Sequence, residues 1–484
     1  MREHRVSATR TIAKNFLSTF TGMVVTRLLA LVAVAYAARV LGVDRFGQWS
    51  FAATVAGYFW ILVHMGLDAP SARYLIQKGG SVEQLIEWTV PLKLAGALCG
   101  LLAVSLVAWL VPKQTAETRW LILFCYAPFF VAFANLSWVY VWLEKMVCPA
   151  TSQVIEQALN LVMLLALVHA PDQIMRLPVA ACVGACGAAV VSWIWWRGDG
   201  HQFRWRLDFA GMRVLLREGV QIMLSRAAGQ LYLGCGILFL GLTSTTAQVA
   251  LYSVGYRLVG PLWLLQMTLI TSLNPTFWRL YVESKEELAA LANRIVRYSA
   301  CALVPAATAI TVLSAPAVRL IFGPAYEGGG PVLSLLSWWL TVTFLNMSGE
   351  MILYAAARQD AVLKLSVGAL LLAVGFNFWL APRWGALGAA AAMLLTELLW
   401  LPVRFHLARR CVPVAFWRSL GKPCLCAAVL ALWLWCFRHG NLLVHVPIAL
   451  GLYVAGLFAT RAVIVSELRE LWRALRPAQP LAFG

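Results

Sequence analysis

Apolar residues come in runs of about twenty, separated by short polar connections, along almost the whole chain. A helix of ~20 residues rising ~1.5 Å per residue crosses the ~30 Å hydrocarbon core of a bilayer, so this pattern predicts membrane-spanning helices. Fourteen are predicted, at roughly 16–38, 47–67, 88–111, 120–143, 150–168, 179–196, 219–241, 249–274, 299–321, 331–355, 362–380, 386–406, 424–440 and 442–463. One stretch reads differently. Residues 276–298 contain Ser284-Lys285-Glu286-Glu287, a capping-box pattern, followed by apolar positions at helical spacing. That combination predicts an amphipathic helix on the cytoplasmic surface. Pro261 and Pro305 fall inside the eighth and ninth spans and are expected to kink them.

The spans repeat. GACGAA (Gly184 to Ala189) lies in the sixth and GALGAA (Gly385 to Ala390) in the twelfth. Leu41-Gly42 and Leu240-Gly241 close the first and seventh, while Trp49-Ser50 and Tyr252-Ser253 open the second and eighth. The exits of the second and eighth read LDAPSARYL and LNPTFWRL. Matched landmarks in matched order predict two six-helix lobes plus two C-terminal helices, one of the recurring transporter plans. The expected divisions are an N-terminal lobe at 1–200, a cytoplasmic linker at 201–218, a C-terminal lobe at 219–407, and helices 13 and 14 with a tail at 408–484. Because lipid is as apolar as leucine, helices in it associate through close contacts at small residues, so both GAxGAA helices are expected to pack tightly.

Composition agrees: 61% of the 484 residues are hydrophobic and only 12% charged, with a mean hydropathy of +0.76. The net charge of +18 is mainly a topology signal. Lys and Arg concentrate at the start, in the central loop (Arg197, Arg204, Arg206, Arg213, Arg217) and in the 404–422 connection, which puts both termini in the cytoplasm. Phe203 to Arg206, FRWR, suits anionic headgroups better than nucleic acid. Ala35-Tyr36-Ala37 looks like a cleavage box but ends a full-length span, so the first helix reads as an uncleaved anchor. The cysteine pairs Cys182/Cys186 and Cys424/Cys426 lack the further ligands of a zinc site.

Five segments carry a family likeness: KNFLSTFTGMVVTRLLALVAVAYAARVLGVDRFGQWSFA near the start, GLDAPSARYL, VALYSVGYRLVGP, IFGPAYEGGGPVLSLLS and FNFWLAPRWGALGAAAAMLLTELLW. In this order, from about Thr11 to Arg461, the chain resembles the Wzx-type oligosaccharide-lipid flippases, polysaccharide biosynthesis proteins of the superfamily that also holds MATE drug exporters and MurJ. The resemblance implies movement of an undecaprenyl-diphosphate-linked oligosaccharide, an O-antigen, capsule or exopolysaccharide repeat unit, from the inner to the outer leaflet of a bacterial cytoplasmic membrane by alternating access. Membrane lipids and other polysaccharide assembly proteins are the remaining expected partners. No cofactor is expected, and a proton or sodium gradient is the candidate energy source.

Ionisable groups inside spans are the candidate site, because Arg or Lys at a helix centre costs about 2.5–3.5 kcal/mol on insertion scales. Arg27 and Arg257 lie deep, one in each half, and are the candidate diphosphate ligands, since a guanidinium engages phosphate oxygens bidentately. Lys93 and Arg226, nearer the cytoplasmic ends of the third and seventh spans, are candidates to meet the incoming headgroup; snorkelling toward the lipid headgroups is the competing reading. Glu397, Glu350 and Glu156 are candidates for ion coupling, or alternatively for internal pairs with Arg27 or Arg257. Arg73 and His64 read as a topology charge and a packing residue. A MATE-like drug exporter would need an anionic cavity, against which Arg27 argues; a MurJ-type lipid II flippase shares the cationic lumen. A polymerase or acyltransferase would need acids, bases or metal ligands in outer connections, yet 112–119 and 169–178 are short and hold no such set.

Overall fold

The computed structural model describes residues 2–77, 79–110, 115–205, 208–437, 442–460 and 462, and among these there is no strand. The expected cytoplasmic tail beyond 462 lies outside the described residues, as does Arg206. The chain divides into two compact units. Unit 1 is Met1–Ser253 with Leu320–Tyr326 and Asn377–Ala389; unit 2 is Val254–Arg319, Glu327–Phe376 and Ala390–Gly484.

The helices, in order, begin with α1 (Arg2–Tyr58), α2 (Trp60–His64), α3 (Asp68–Gln77), α4 (Val82–Leu110), α5 (Ala116–Val131) and α6 (Ser137–Trp142). Then follow α7 (Val147–Leu167), α8 (Arg176–Gly198), α9 (Phe209–Thr243), α10 (Thr246–Glu283) and α11 (Lys285–Phe322). The last are α12 (Gly330–Ala355), α13 (Gln359–Arg409), α14 (Phe416–Cys436) and α15 (Leu442–Ala459). Among the described residues, nine helical stretches are long and apolar enough to cross a membrane, and shorter apolar helices lie at Ser419–Leu434 and Pro447–Ala459. The protein is an all-α, multi-pass membrane protein.

Glycine decides how two of the longest elements are used. α1 has 57 residues and α13 has 51, each more than twice the length that spans the hydrocarbon core. α1 breaks at Gly42 (φ 72°, ψ 174°) and α13 at Gly385 (φ 56°, ψ −133°), conformations that a Cβ would strain. α13 therefore supplies two of the predicted crossings, and α1 supplies the first and, continued by α2, the second. The two GAxGAA phrases consequently differ in use. In α8 the phrase is a contact surface: Gly184, Ala185, Ala188 and Ala189 are buried, and a Cβ on Gly184 would come 2.5 Å from the Glu156 carbonyl oxygen of α7. In α13 its first glycine is the break itself, and the amide of Ala386 donates to Gln248 Oε1 at 2.8 Å.

Two sequence expectations change. The fourth span, expected as one helix over 120–143, is instead α5, a short 3-10 turn at Ala132–Ala134, and α6. Pro128 removes one helical donor near the end of α5, Asn135 Oδ1 accepts from the Ser137 amide at 2.9 Å across the turn, and Ser192 Oγ takes the Leu136 amide at 3.0 Å. Nor is 276–298 a separate surface helix. α10 continues to Glu283 and α11 starts at Lys285, with Ser284 alone between them. The helical apolar spacing is real, but its stripe of Leu288, Ala289, Ala292 and Val296 is buried in the core of unit 2 with Phe277, Val414 and Phe416.

Half of the capping box forms: Ser284 Oγ accepts from the Glu287 amide at 3.2 Å, while the Ser284 amide bonds to the Leu280 carbonyl at 2.8 Å. Ser284→Ala removes the cap acceptor at this junction and is expected to cost about 1 kcal/mol. A lowered thermal midpoint of the purified protein checks this; an unchanged midpoint would show the side-chain cap to be idle. α10 and α11 run as continuous helices through Pro261 and Pro305.

Candidate functional site

At one end of unit 1, three helices bring charged side chains together. Asp68 opens α3 and accepts from Arg226 of α9, with Nη1 to Oδ2 at 3.0 Å. Lys93 of α4 is 2% exposed, and its Nζ lies 4.1 Å above the Trp138 ring centre, a cation–π contact. His64 closes α2, stacks on Trp60 with ring centres 3.9 Å apart, and is within electrostatic reach of Lys93, Asp68 and Arg226. Two basic side chains thus share the Asp68 carboxylate. Such an arrangement attracts a further anion, and Arg226, whose side chain is 45% exposed, keeps donors available for one. Lys93 does not snorkel: its amine ends under an indole inside the protein.

The local backbone explains the grouping. Met65 and Gly66 take left-handed conformations (φ 47° and 64°) that turn the chain from α2 into α3. Gly66 lies directly against α9, where a Cβ would meet the Met223 amide nitrogen at 2.8 Å. That close approach carries Asp68 to Arg226, which follows one turn later on α9. The neighbouring turn adds a second ion pair, Arg73 Nη1 to Glu218 Oε2 at 2.9 Å. Lys145–Asp199 at 2.8 Å and His201–Glu83 at 3.1 Å brace two further connections of unit 1. Burial and the nearby Asp208 push the Tyr74 phenol above its ordinary pKa, and its hydroxyl donates to Gln84 Oε1 at 2.8 Å.

Unit 2 holds a second charged group. Glu397 of α13 is 5% exposed; its Oε2 accepts from Asn346 Nδ2 of α12 at 2.7 Å and lies 3.6 Å from Arg404 Nη1. Glu350, half-buried on α12, interacts electrostatically with both Arg404 and Glu397. Glu397 and Glu350 are therefore brought together around Arg404. Arg404, at the end of its span, reads from sequence as a topology charge; the available signal is its position seven residues after Glu397, on the same helix face. Asp68 and Trp138 carry no comparable sequence signal, because their partners lie on other helices.

The remaining candidates stand apart from these groups. Arg27 is exposed on α1 in the same stripe as Val24, Leu28 and Val32, and among the described residues no carboxylate is within ion-pair distance. Arg257 is half-buried on α10 and interacts with the adjacent Tyr256. Glu156 is half-buried on α7, its backbone against Gly184. Within unit 2 an apolar cavity of about 800 Å³ lies among α11, α12, α13 and α14, lined by residues including Thr308, Trp338 and Leu434.

Long apolar helices that shelter ionised groups define a multi-pass membrane protein. Residues 12–281 match the family model "Polysaccharide biosynthesis protein", and the chain belongs to that family. Among solved structures it is similar to the lipid II flippase MurJ in an inward closed conformation, at 13% identity over 93% of this chain and 99% of that one, with a TM-score of 0.69. It is also similar to a MATE protein in a bent conformation (14% identity, 87% and 97% covered, TM-score 0.53). A transporter of the MOP superfamily from Pyrococcus furiosus compares likewise (16% identity, 83% and 95% covered, TM-score 0.54). At these identities the likeness shows the fold. No curated protein sequence matches the chain.

Proposed function

We propose that this protein is a flippase that carries undecaprenyl-diphosphate-linked oligosaccharide, an O-antigen, capsule or exopolysaccharide repeat unit, from the inner to the outer leaflet of the cytoplasmic membrane by alternating access. Family membership supports the polysaccharide role. The observation that carries the substrate class is the gathering of Lys93 and Arg226 around one carboxylate at a helix end of unit 1. Cations cost free energy in a membrane protein, and a diphosphate returns it through charge-assisted hydrogen bonds.

In this reading Lys93 and Arg226 receive the diphosphate, and Arg27 and Arg257 bind it during transit. Residues 1–200 and 219–407 act as the two lobes, both termini are cytoplasmic, and the chain performs no catalysis. Glu397, Glu350 and Glu156 are the candidates for coupling to a proton or sodium gradient. Other polysaccharide assembly proteins receive the glycan.

The test is rescue of a bacterial strain lacking its own repeat-unit flippase. The wild-type chain is expected to restore surface glycan, and Arg27→Ala/Arg257→Ala to lower it by at least tenfold, the loss of about one charge-assisted contact. Full rescue by the double variant at normal abundance defeats the assignment of those two arginines; failure of the wild-type chain in every host tried defeats the function.

A further inference from the structure

A recess of about 300 Å³ opens in unit 1 beside the Lys93–Arg226 group, on the same three helices. Its apolar wall is Trp88 of α4 and Tyr74 of α3, with ring centres 4.9 Å apart. Its floor is Gly211 of α9, where a Cβ would collide with the Trp88 indole. Its rim is the Arg73–Glu218 ion pair, with side chains 54% and 36% exposed, and the side is closed by half-exposed Val214. The volume lies at the small end of the range for ligand pockets, about 300–1,000 Å³.

We propose that this recess is a sugar subsite, taking one of the first pyranose rings that follow the diphosphate of the lipid-linked glycan. The proposal rests on the diphosphate reading above and adds to it where the glycan sits. Three observations select a sugar. An aromatic ring is electron-rich and attracts the weakly positive C–H face of a pyranose; half-buried Tyr74 supplies it, backed by Trp88, which is 8% exposed and packed against Gly211. Guanidinium groups only donate and carboxylates only accept, so a rim of Arg73 and Glu218 serves hydroxyl groups, which do both. The same Glu218 carboxylate repels a phosphate, which sets the recess apart from the cationic group next to it.

Spacing supplies the fourth observation. Tyr74 is six residues from Asp68 on α3, Trp88 five from Lys93 on α4, and Glu218 eight from Arg226 on α9. At ~1.5 Å per residue these separations are about 9, 8 and 12 Å along the three helices. A chain anchored by its diphosphate at the cations reaches the recess with its first sugars.

The experiment is a titration of the full-length chain in detergent by native mass spectrometry with three probes: undecaprenyl monophosphate, undecaprenyl diphosphate, and undecaprenyl diphosphate bearing N-acetylglucosamine. Wild type is expected to bind the sugar-bearing lipid roughly tenfold more tightly than the bare diphosphate, the size of one well-seated aromatic and hydrogen-bonded contact. Val214→Trp fills the recess and is expected to erase that preference while binding of the bare diphosphate persists. Glu218→Gln, on the exposed rim, is expected to reduce it severalfold without a folding defect. A wild-type chain that prefers diphosphate to monophosphate but ignores the sugar overturns the subsite alone. One with no preference for diphosphate overturns the diphosphate reading and the subsite with it. Equal weakening of both diphosphate lipids by Val214→Trp would mean that the recess holds a lipid headgroup, and overturns the subsite.

Discussion

Lys93→Met is expected to lower glycan export at least tenfold while leaving the protein folded and as heat-stable as wild type. The two halves of that expectation have different origins. Lys93 is 2% exposed and has lost most of its hydration; what it gains in return is the Trp138 face at 4.1 Å and the field of Asp68. A cation–π contact is worth about 0.5–2 kcal/mol, and with the attraction of Asp68 it offsets the several kcal/mol of desolvation that a methionine of similar length would relieve. The net change in stability is therefore small. Export is another matter, because methionine offers a diphosphate no charge. An ammonium about 4 Å from a phosphate contributes up to about 4 kcal/mol at an effective dielectric constant near 20, so a loss of 10- to 1,000-fold in transport is expected. Lys93→Arg retains the charge and should retain part of the activity. The measurement is surface glycan per unit of membrane-embedded protein, beside the thermal midpoint of purified protein. Export equal to wild type by Lys93→Met at equal abundance would remove Lys93 from the pathway.

The largest effect on stability is expected in unit 2. Arg404→Leu leaves Glu397, with 6% of its side chain exposed, without its guanidinium partner at 3.6 Å, and leaves Glu350 without its favourable neighbour. Breaking one side of a buried pair costs about 3–5 kcal/mol, whereas replacing both sides by apolar groups is often neutral. Arg404→Leu should therefore lower the thermal midpoint sharply, and Arg404→Leu/Glu397→Leu should recover most of the loss. Glu397→Gln should be milder than Arg404→Leu, because Arg404 keeps Glu350 and Asn346 keeps an oxygen to donate to. If Arg404→Leu and Glu397→Leu, each measured alone, simply add in the double variant, the pair is not an energetic unit.

The fold was legible because lipid leaves few choices. An apolar run near twenty residues has to be a helix that satisfies its own backbone. Breaks at Gly42 and Gly385 fell where the runs ended, since left-handed φ calls for glycine. The Ser284 junction was half legible. Its cap and its stripe were visible, but whether the stripe meets lipid headgroups or protein depends on Phe277, Val414 and Phe416, which sequence spacing does not connect to it. Candidate charges were legible as types and depths, because an in-span Arg, Lys or Glu stands out against its neighbours. Their partners were not. Asp68 reaches Arg226 only because Gly66 lets α9 come close, and Lys93 ends at Trp138 through packing that no periodicity encodes. Arg404 reads as an orienting charge because it sits at the end of its span, and that position does not reveal its contact with Glu397.

The turn at Gly385 has a practical meaning for anyone mapping this protein's topology. Pro382, Arg383 and Trp384 lead into it with no stretch of free chain, Arg383 lies over the Trp379 ring at 4.6 Å, and Ala386 is tied by its amide to Gln248. There is no slack at this corner into which an epitope, a reporter enzyme or a protease site can be spliced. An insertion there tears a hydrogen bond and a helix start together, so silence from such a fusion reports a ruined hairpin and says nothing about the side of the bilayer on which the corner resides.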